Sequence, residues 1–384
     1  MQFPDQSFNK MSQSFFGSTM LFLLLGVAST IQQVTAFPKY SPLPSECNEQ
    51  NTKVHKEWSA LTTDERVDFT DSVKCLMKLP SQIPKSAAPG VTSRYDDFTA
   101  THINNTLLIH GNGVFLPWHR HFLYLFQKAL AEECDFKGTV PYWNWPWWAD
   151  DLAGSPLFDG SDTSIGGDGY WDASMPAIQN INYTFPRGNG GGCISSGPFT
   201  NITTGFRMFQ NAEVLRKTLP EDALDYAPRC VTRDLNSNLT RSNHRASVVD
   251  KLISALSIED FQKVMEGTVR NTSILGLHSA GHWSVGLGMQ DQYASPSDPA
   301  FYLHHSMVDN MWAQWQLKRP KGRTFALSGT VTTLNNPPSQ NATLDFVTSF
   351  GYLDKPRKLS ELMDTRGGKY CYRYEYEQGA PKPC

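Results

Sequence analysis

The chain has 384 residues, enough for one large domain or two ordinary ones, and its 40% apolar and 12% aromatic content is that of a globular protein with a sizeable core. Its formal net charge is −3 with both signs interspersed, which leaves no basic footprint for nucleic acid. No apolar run reaches the roughly 18 residues needed for a bilayer span, so no membrane partner is expected.

From the N-terminus, Met20 to Ala28 is an apolar run of secretory length, followed by the small-residue site Val34-Thr35-Ala36. Residues 1–36 are therefore read as a signal peptide, residues 37–384 as one mature domain, and the protein as secreted. N-glycosylation sequons at Asn104, Asn182, Asn201, Asn238, Asn271 and Asn341 agree with that route. Seven cysteines with no C-x-x-C pair argue against zinc-ribbon and thioredoxin chemistry and predict three disulfides with one thiol left over. Spacing does not derive the connectivity. The expected pairs are Cys75 with Cys134, Cys193 with Cys230 and Cys47 with Cys371, leaving Cys384 free.

Thr62-Thr-Asp-Glu65 predicts a helix through Lys78, with Thr62 as N-cap and Glu65 closing a capping box, ended by Pro80 and Pro84. Trp118 to Glu133 carries Phe122, Leu123, Phe126, Ala129 and Leu130 at the helical period. From Asp150 to about Asn243 the chain is rich in Gly, Pro, Asn and Ser, a long loop-rich insertion pinned by Cys193 and Cys230. Val248 to Val264 is helical with a restart at Ser257-Ile-Glu-Asp260, and Phe301 to Leu317 is another long helix. Strand patterns are few and short. The predicted fold class is mainly α, a helical bundle with extensive irregular loops.

The histidines carry the chemistry. His278 and His282 are four residues apart, so they share one face of a helix and can offer two nitrogens to one metal ion. His305, 23 residues on, supplies a third from another element, and His102, His110 and His119 make a second trio upstream. Imidazole suits copper, zinc, iron and nickel, whereas magnesium, calcium or manganese would call for carboxylates. Two all-histidine sets point to a redox metal pair that binds dioxygen. His119 and His121 lie about 200° apart around a helix, and His304 and His305 about 100° apart, so one of each pair ligates. The role is given to His119 and His305, with His304 packing or hydrogen-bonding locally. Asp309, one turn after His305, is a candidate to accept the ring N–H of a ligand. His55 and His244 sit among polar residues and read as ordinary surface histidines.

Phe115-Leu-Pro-Trp-His119-Arg120, Pro141-Tyr-Trp-Asn-Trp145, Asp298-Pro-Ala-Phe-Tyr-Leu-His-His305 and Asp309-Asn-Met-Trp312 resemble tyrosinases and catechol oxidases, the type-3 copper phenol oxidases, from about Cys47 to Tyr374. The resemblance implies a four-helix core holding two copper ions. His102, His110 and His119 would hold the first and His278, His282 and His305 the second. It further implies oxidation of o-diphenols to o-quinones with dioxygen, so the expected partners are a small phenolic substrate and dioxygen.

Departures from that pattern refine the expectation. Many members link a Cys two residues before the second histidine to a ligand ring; here that position is Leu108, so the ligand is expected to be mobile or fixed by packing alone. Strong hydroxylases often carry Asn after the first histidine of the second copper and a Glu a few residues upstream. Here Ser279 follows His278, and no acid occurs between Glu266 and His278. A base must lie within hydrogen-bond reach of the proton it takes, so weak monophenol hydroxylation is expected. Gln292, thirteen residues before His305, stands where plant relatives carry a bulky aromatic, and predicts a more polar, wider mouth. Tyr370-Cys-Tyr372-Arg-Tyr374 resembles the motif closing the catalytic domain, so no C-terminal plug is expected. The Trp143, Trp145, Trp147 and Trp148 cluster reads as packing and Arg120 as a buried ion-pair partner. Competing readings are a tyrosinase with full monophenol activity, an o-aminophenol oxidase, an oxygen carrier of the haemocyanin kind and a zinc hydrolase.

Overall fold

The Thr62 hydroxyl accepts the Glu65 N–H at 3.2 Å while the Glu65 carboxylate accepts the Thr62 N–H at 2.8 Å, and this expected capping box opens α1 (Thr63–Lys78). The computed structural model describes residues 45–180, 183–210, 213, 216–267 and 275–375. The leader, the sequons at Asn182 and Asn271, and Cys384 lie outside the described residues.

Along the chain follow α2 (Arg94–Ile109), α3 (Phe115–Cys134), α4 (Ser237–Asn243), α5 (Ala246–Ile253), α6 (Ile258–Glu266), α7 (Leu277–Val285), α8 (Leu287–Gln290), α9 (Ala300–Leu317) and α10 (Pro320–Arg323). The mainly α expectation holds, and the described strands are two to four residues long and paired in twos. Ser257 caps α6 by accepting the Asp260 N–H, so the helical restart falls where the sequence places it. α3 begins a turn earlier than Trp118, with Pro117 in the first turn, where its missing N–H costs nothing. α2 was not foreseen. Thirteen of its 16 residues are buried, so it shows no apolar stripe against a polar face.

The insertion has the expected character. Gly169–Trp171 pairs with Gly191–Ile194, Thr203–Thr204 with Arg229–Cys230, and a Cys193–Cys230 disulfide ties them. Arg233 anchors it to the bundle through two hydrogen bonds to Asp298, at 2.7 and 2.8 Å, with both side chains fully buried. Asp298 also accepts the Ala300 N–H at the start of α9. Disulfides Cys75–Cys134 and Cys47–Cys371 form as expected. The latter adjoins a parallel pairing of Lys53–His55 with Tyr372–Tyr374.

His55 and His244 are not surface residues. His55 Nδ1 bonds to the Val140 carbonyl at 2.7 Å and packs on Tyr372 and Tyr374. His244 is fully buried against Trp145. Polar sequence neighbours conceal both, because the elements that cover them are distant in the chain.

Candidate metal centre

Four helices, α2, α3, α7 and α9, carry the histidines inward. His102 lies on α2, His110 is the extended residue that ends it, and His119 lies one turn into α3. His278 and His282 project from one face of α7 and His305 from α9. One potential ligand atom from each of His102, His110 and His119 lies within 4.8 Å of the others, and His278, His282, His304 and His305 form a second such group. In the second, the Nε2 atoms of His278, His282 and His305 are 3.0, 3.0 and 3.4 Å apart. Nitrogens placed tetrahedrally at about 2.0–2.1 Å from one ion would be roughly 3.3 Å apart. The cradle has the size of one metal ion.

Backbone carbonyls set the tautomers. Nδ1 of His102 meets the Tyr293 carbonyl at 2.8 Å, that of His110 Thr106 at 3.0 Å, that of His119 Phe115 at 2.9 Å and that of His282 Met289 at 2.8 Å. A carbonyl only accepts, so Nδ1 holds the proton and the Nε2 lone pair is free for a metal. With Nδ1 protonated, the Nε2 lone pairs of His102 and of His119, buried without any hydrogen-bond partner, are available to a metal ion. Burial drives His110 down to about 4 and His282 to about 3, and holds the other four rings well below the usual histidine value. The rings are thus neutral, the form that ligates. His119 and His305 stack at 4.5 Å, so the two sets face each other across a short gap. The residues fit a pair of copper ions.

Two expectations need correction. Asp309 does not reach a ligand ring: its carboxylate accepts Arg120 Nε–H at 2.6 Å and the hydroxyls of Tyr372 and Tyr374 at 2.6 and 2.7 Å. Although it follows His305 by one turn, its carboxylate is taken up by Arg120 of α3 and by the two tyrosines instead. His110, despite Leu108 in place of a cysteine, is held by the Thr106 carbonyl rather than by packing alone, and Leu108 is itself largely exposed. Arg120 is the buried ion-pair partner expected of it. His121 is engaged by Tyr370 and Asp354, at 2.6 and 2.8 Å, away from the metal cradle.

A cavity of about 510 Å³ opens over both sets, with His110, His278 and His282 on its wall. Ser279 and Gln292 also line it, as do Trp283 and Leu334. So does Glu266, twelve residues before His278 in the chain. It ends α6, accepts the Gly111 N–H at 2.8 Å, and burial raises its carboxyl to about 8. Its only sequence cue is an acid at a helix C-terminus, where the dipole disfavours negative charge.

Residues 92–318 match the common central domain of tyrosinase. Tyrosinase P of Aspergillus terreus is 44% identical over 326 residues, covering 84% of this chain and 91% of that protein. N-acetyl-6-hydroxytryptophan oxidase of Emericella nidulans is 42% identical over 345 residues, covering 86% and 94%. A solved polyphenol oxidase variant from Thermothelomyces thermophila superposes with a TM-score of 0.80 at 35% identity, covering 86% and 91%. With two three-histidine cradles facing each other inside four helices, this chain belongs to the tyrosinase family of type-3 dicopper oxidoreductases.

Proposed function

We propose that this chain oxidises o-diphenols to o-quinones with dioxygen and hydroxylates monophenols weakly. The observation that carries the reading is Ser279 on the pocket wall, directly after His278. Bound copper would supply the two-electron exchange with dioxygen. An o-diphenol already holds both oxygens and must lose only two electrons and two protons. A monophenol must also gain an oxygen, and its proton must first be taken by a base within reach. The Ser279 hydroxyl can orient a substrate oxygen by hydrogen bonding but is no base at neutral pH. Trp283 and Leu334 give the ring an apolar wall. The exposed Asn104, Asn201, Asn238 and Asn341 and the leader-like Met20–Ala28 run support secretion as part of this reading.

Glu266 favours a second reading, full monophenol activity, because it brings a carboxyl from the end of α6 to the pocket wall. The names of two relatives also point beyond simple catechols, one to tyrosinase activity and one to a hydroxylated tryptophan. Copper quantitation followed by oxygen uptake on catechol, a monophenol and an o-aminophenol in parallel decides among them. Fast catechol turnover with slow monophenol turnover is expected. Equal rates without a lag would overturn the primary reading, and reversible oxygen binding without phenol turnover would indicate a carrier.

A further inference from the structure

The second histidine cradle contains one ring too many. His304 is fully buried, stacks on His278 at 5.5 Å and lies within metal-sharing distance of His278, His282 and His305. It fits there because α7 has a glycine at that point: a Cβ on Gly281 would overlap the His304 ring. On its other side the ring meets Trp145, whose Nε1 lies 3.2 Å from His304 Nδ1. Trp145 in turn stacks on His244 at 5.0 Å, and His244 Nε2 bonds to the Leu277 carbonyl at 3.0 Å, at the first residue of α7.

An indole N–H can only donate, so the bond to Trp145 uses the lone pair of His304 Nδ1. A neutral imidazole has one ring proton, which must then sit on Nε2. Neither nitrogen has a lone pair left. We propose that Trp145 fixes His304 in the Nε2–H tautomer and thereby makes it a positioning residue rather than a fourth ligand, leaving the second copper three nitrogens and an open face. Seven other rings, those of His55, His102, His110, His119, His121, His244 and His282, each meet a backbone carbonyl, a carboxylate or a tyrosine hydroxyl; His304 alone among the described histidines is held by an indole. Locked between Trp145 and Gly281, its ring forms a wall on which His278 rests, and His244 ties the same indole to the start of α7.

The tautomer can be read directly on unaltered protein. In ¹⁵N-histidine-labelled protein loaded with copper(I), which is diamagnetic, His304 is identified by its contact with the Trp145 indole proton in a proton–nitrogen correlation spectrum. The Nε2–H form is expected with and without copper, and an Nδ1–H form would overturn the proposal. Variants give an independent reading. His304→Gln and Trp145→Phe should each still hold two copper ions per chain at saturation but release copper to a chelator about tenfold faster, in the range usual for groups that orient metal ligands. Because both act through one ring, the double variant should release it no faster than either single. Binding of one copper by His304→Gln would make His304 a ligand. Unchanged copper release in Trp145→Phe, or effects that multiply in the double variant, would equally sink the idea.

Discussion

Arg120 Nε lies 2.6 Å from Asp309 Oδ1, and this fully buried pair joins α3 to α9 one residue after His119 and four after His305. It holds together the two helices that bring one ligand to each copper. The Tyr372 and Tyr374 hydroxyls complete the carboxylate, so the closing strand of the described chain is tied to the same point. Removing Asp309 would leave Arg120 buried and uncompensated. Asp309→Ala should cost roughly 3–5 kcal/mol in denaturant unfolding of the metal-free protein. A loss below about 1 kcal/mol, the scale of an exposed pair, would show that the pair is not holding the helices.

Copper content should separate ligands from neighbours. His119→Ala and His282→Ala are each expected to fall from two copper ions to about one, since each removes one of three nitrogens from a single cradle. His121→Gln is expected to keep both, because that ring is bound to Tyr370 and Asp354 instead. Elemental analysis of folded protein is the measurement. A His121 variant with one copper would reassign the first site.

Acid should destabilise the metal-free protein. Burial holds His110 at about 4 and His282 at about 3, against an ordinary value of 6.5 that the unfolded chain regains. Between those values the unfolded state binds more protons than the folded one, so stability falls as pH drops below 6.5 and goes on falling to about 4. Each such ring contributes up to roughly 1.4 kcal/mol per pH unit in that window. Urea unfolding at pH 5 and pH 7 tests it, and equal stability at the two would contradict the assignment of neutral buried rings.

If Glu266 takes the phenol proton, Glu266→Gln should lower monophenol turnover by about 100-fold or more while changing catechol turnover little. Parallel oxygen-uptake assays read the ratio. An equal fall for both substrates would mean that the residue only supports Gly111 through its hydrogen bond.

Much of the scaffold was legible because its causes are local. Thr62 and Glu65 announce α1, Ser257 announces α6, and the spacing of His278 and His282 places two nitrogens on one helix face. Those patterns span a turn or two, and short-range geometry decides them. α2 escaped notice because burial on nearly every side erases the stripe that marks a helix.

By itself the sequence determined the helical class, the two histidine sets and the residues bordering them, Ser279 and Gln292 included. Tertiary structure alone decided what each ring nitrogen faces. Tyr293 meets His102 across 191 positions of chain, Trp145 meets His304 across 159, and Glu266 reaches Gly111 across 155. The same holds for the burial of His55 and His244 and for the diversion of Asp309 to Arg120. Hydrogen bonding and desolvation depend on what packs around a group, and here the packing comes from segments far away in sequence.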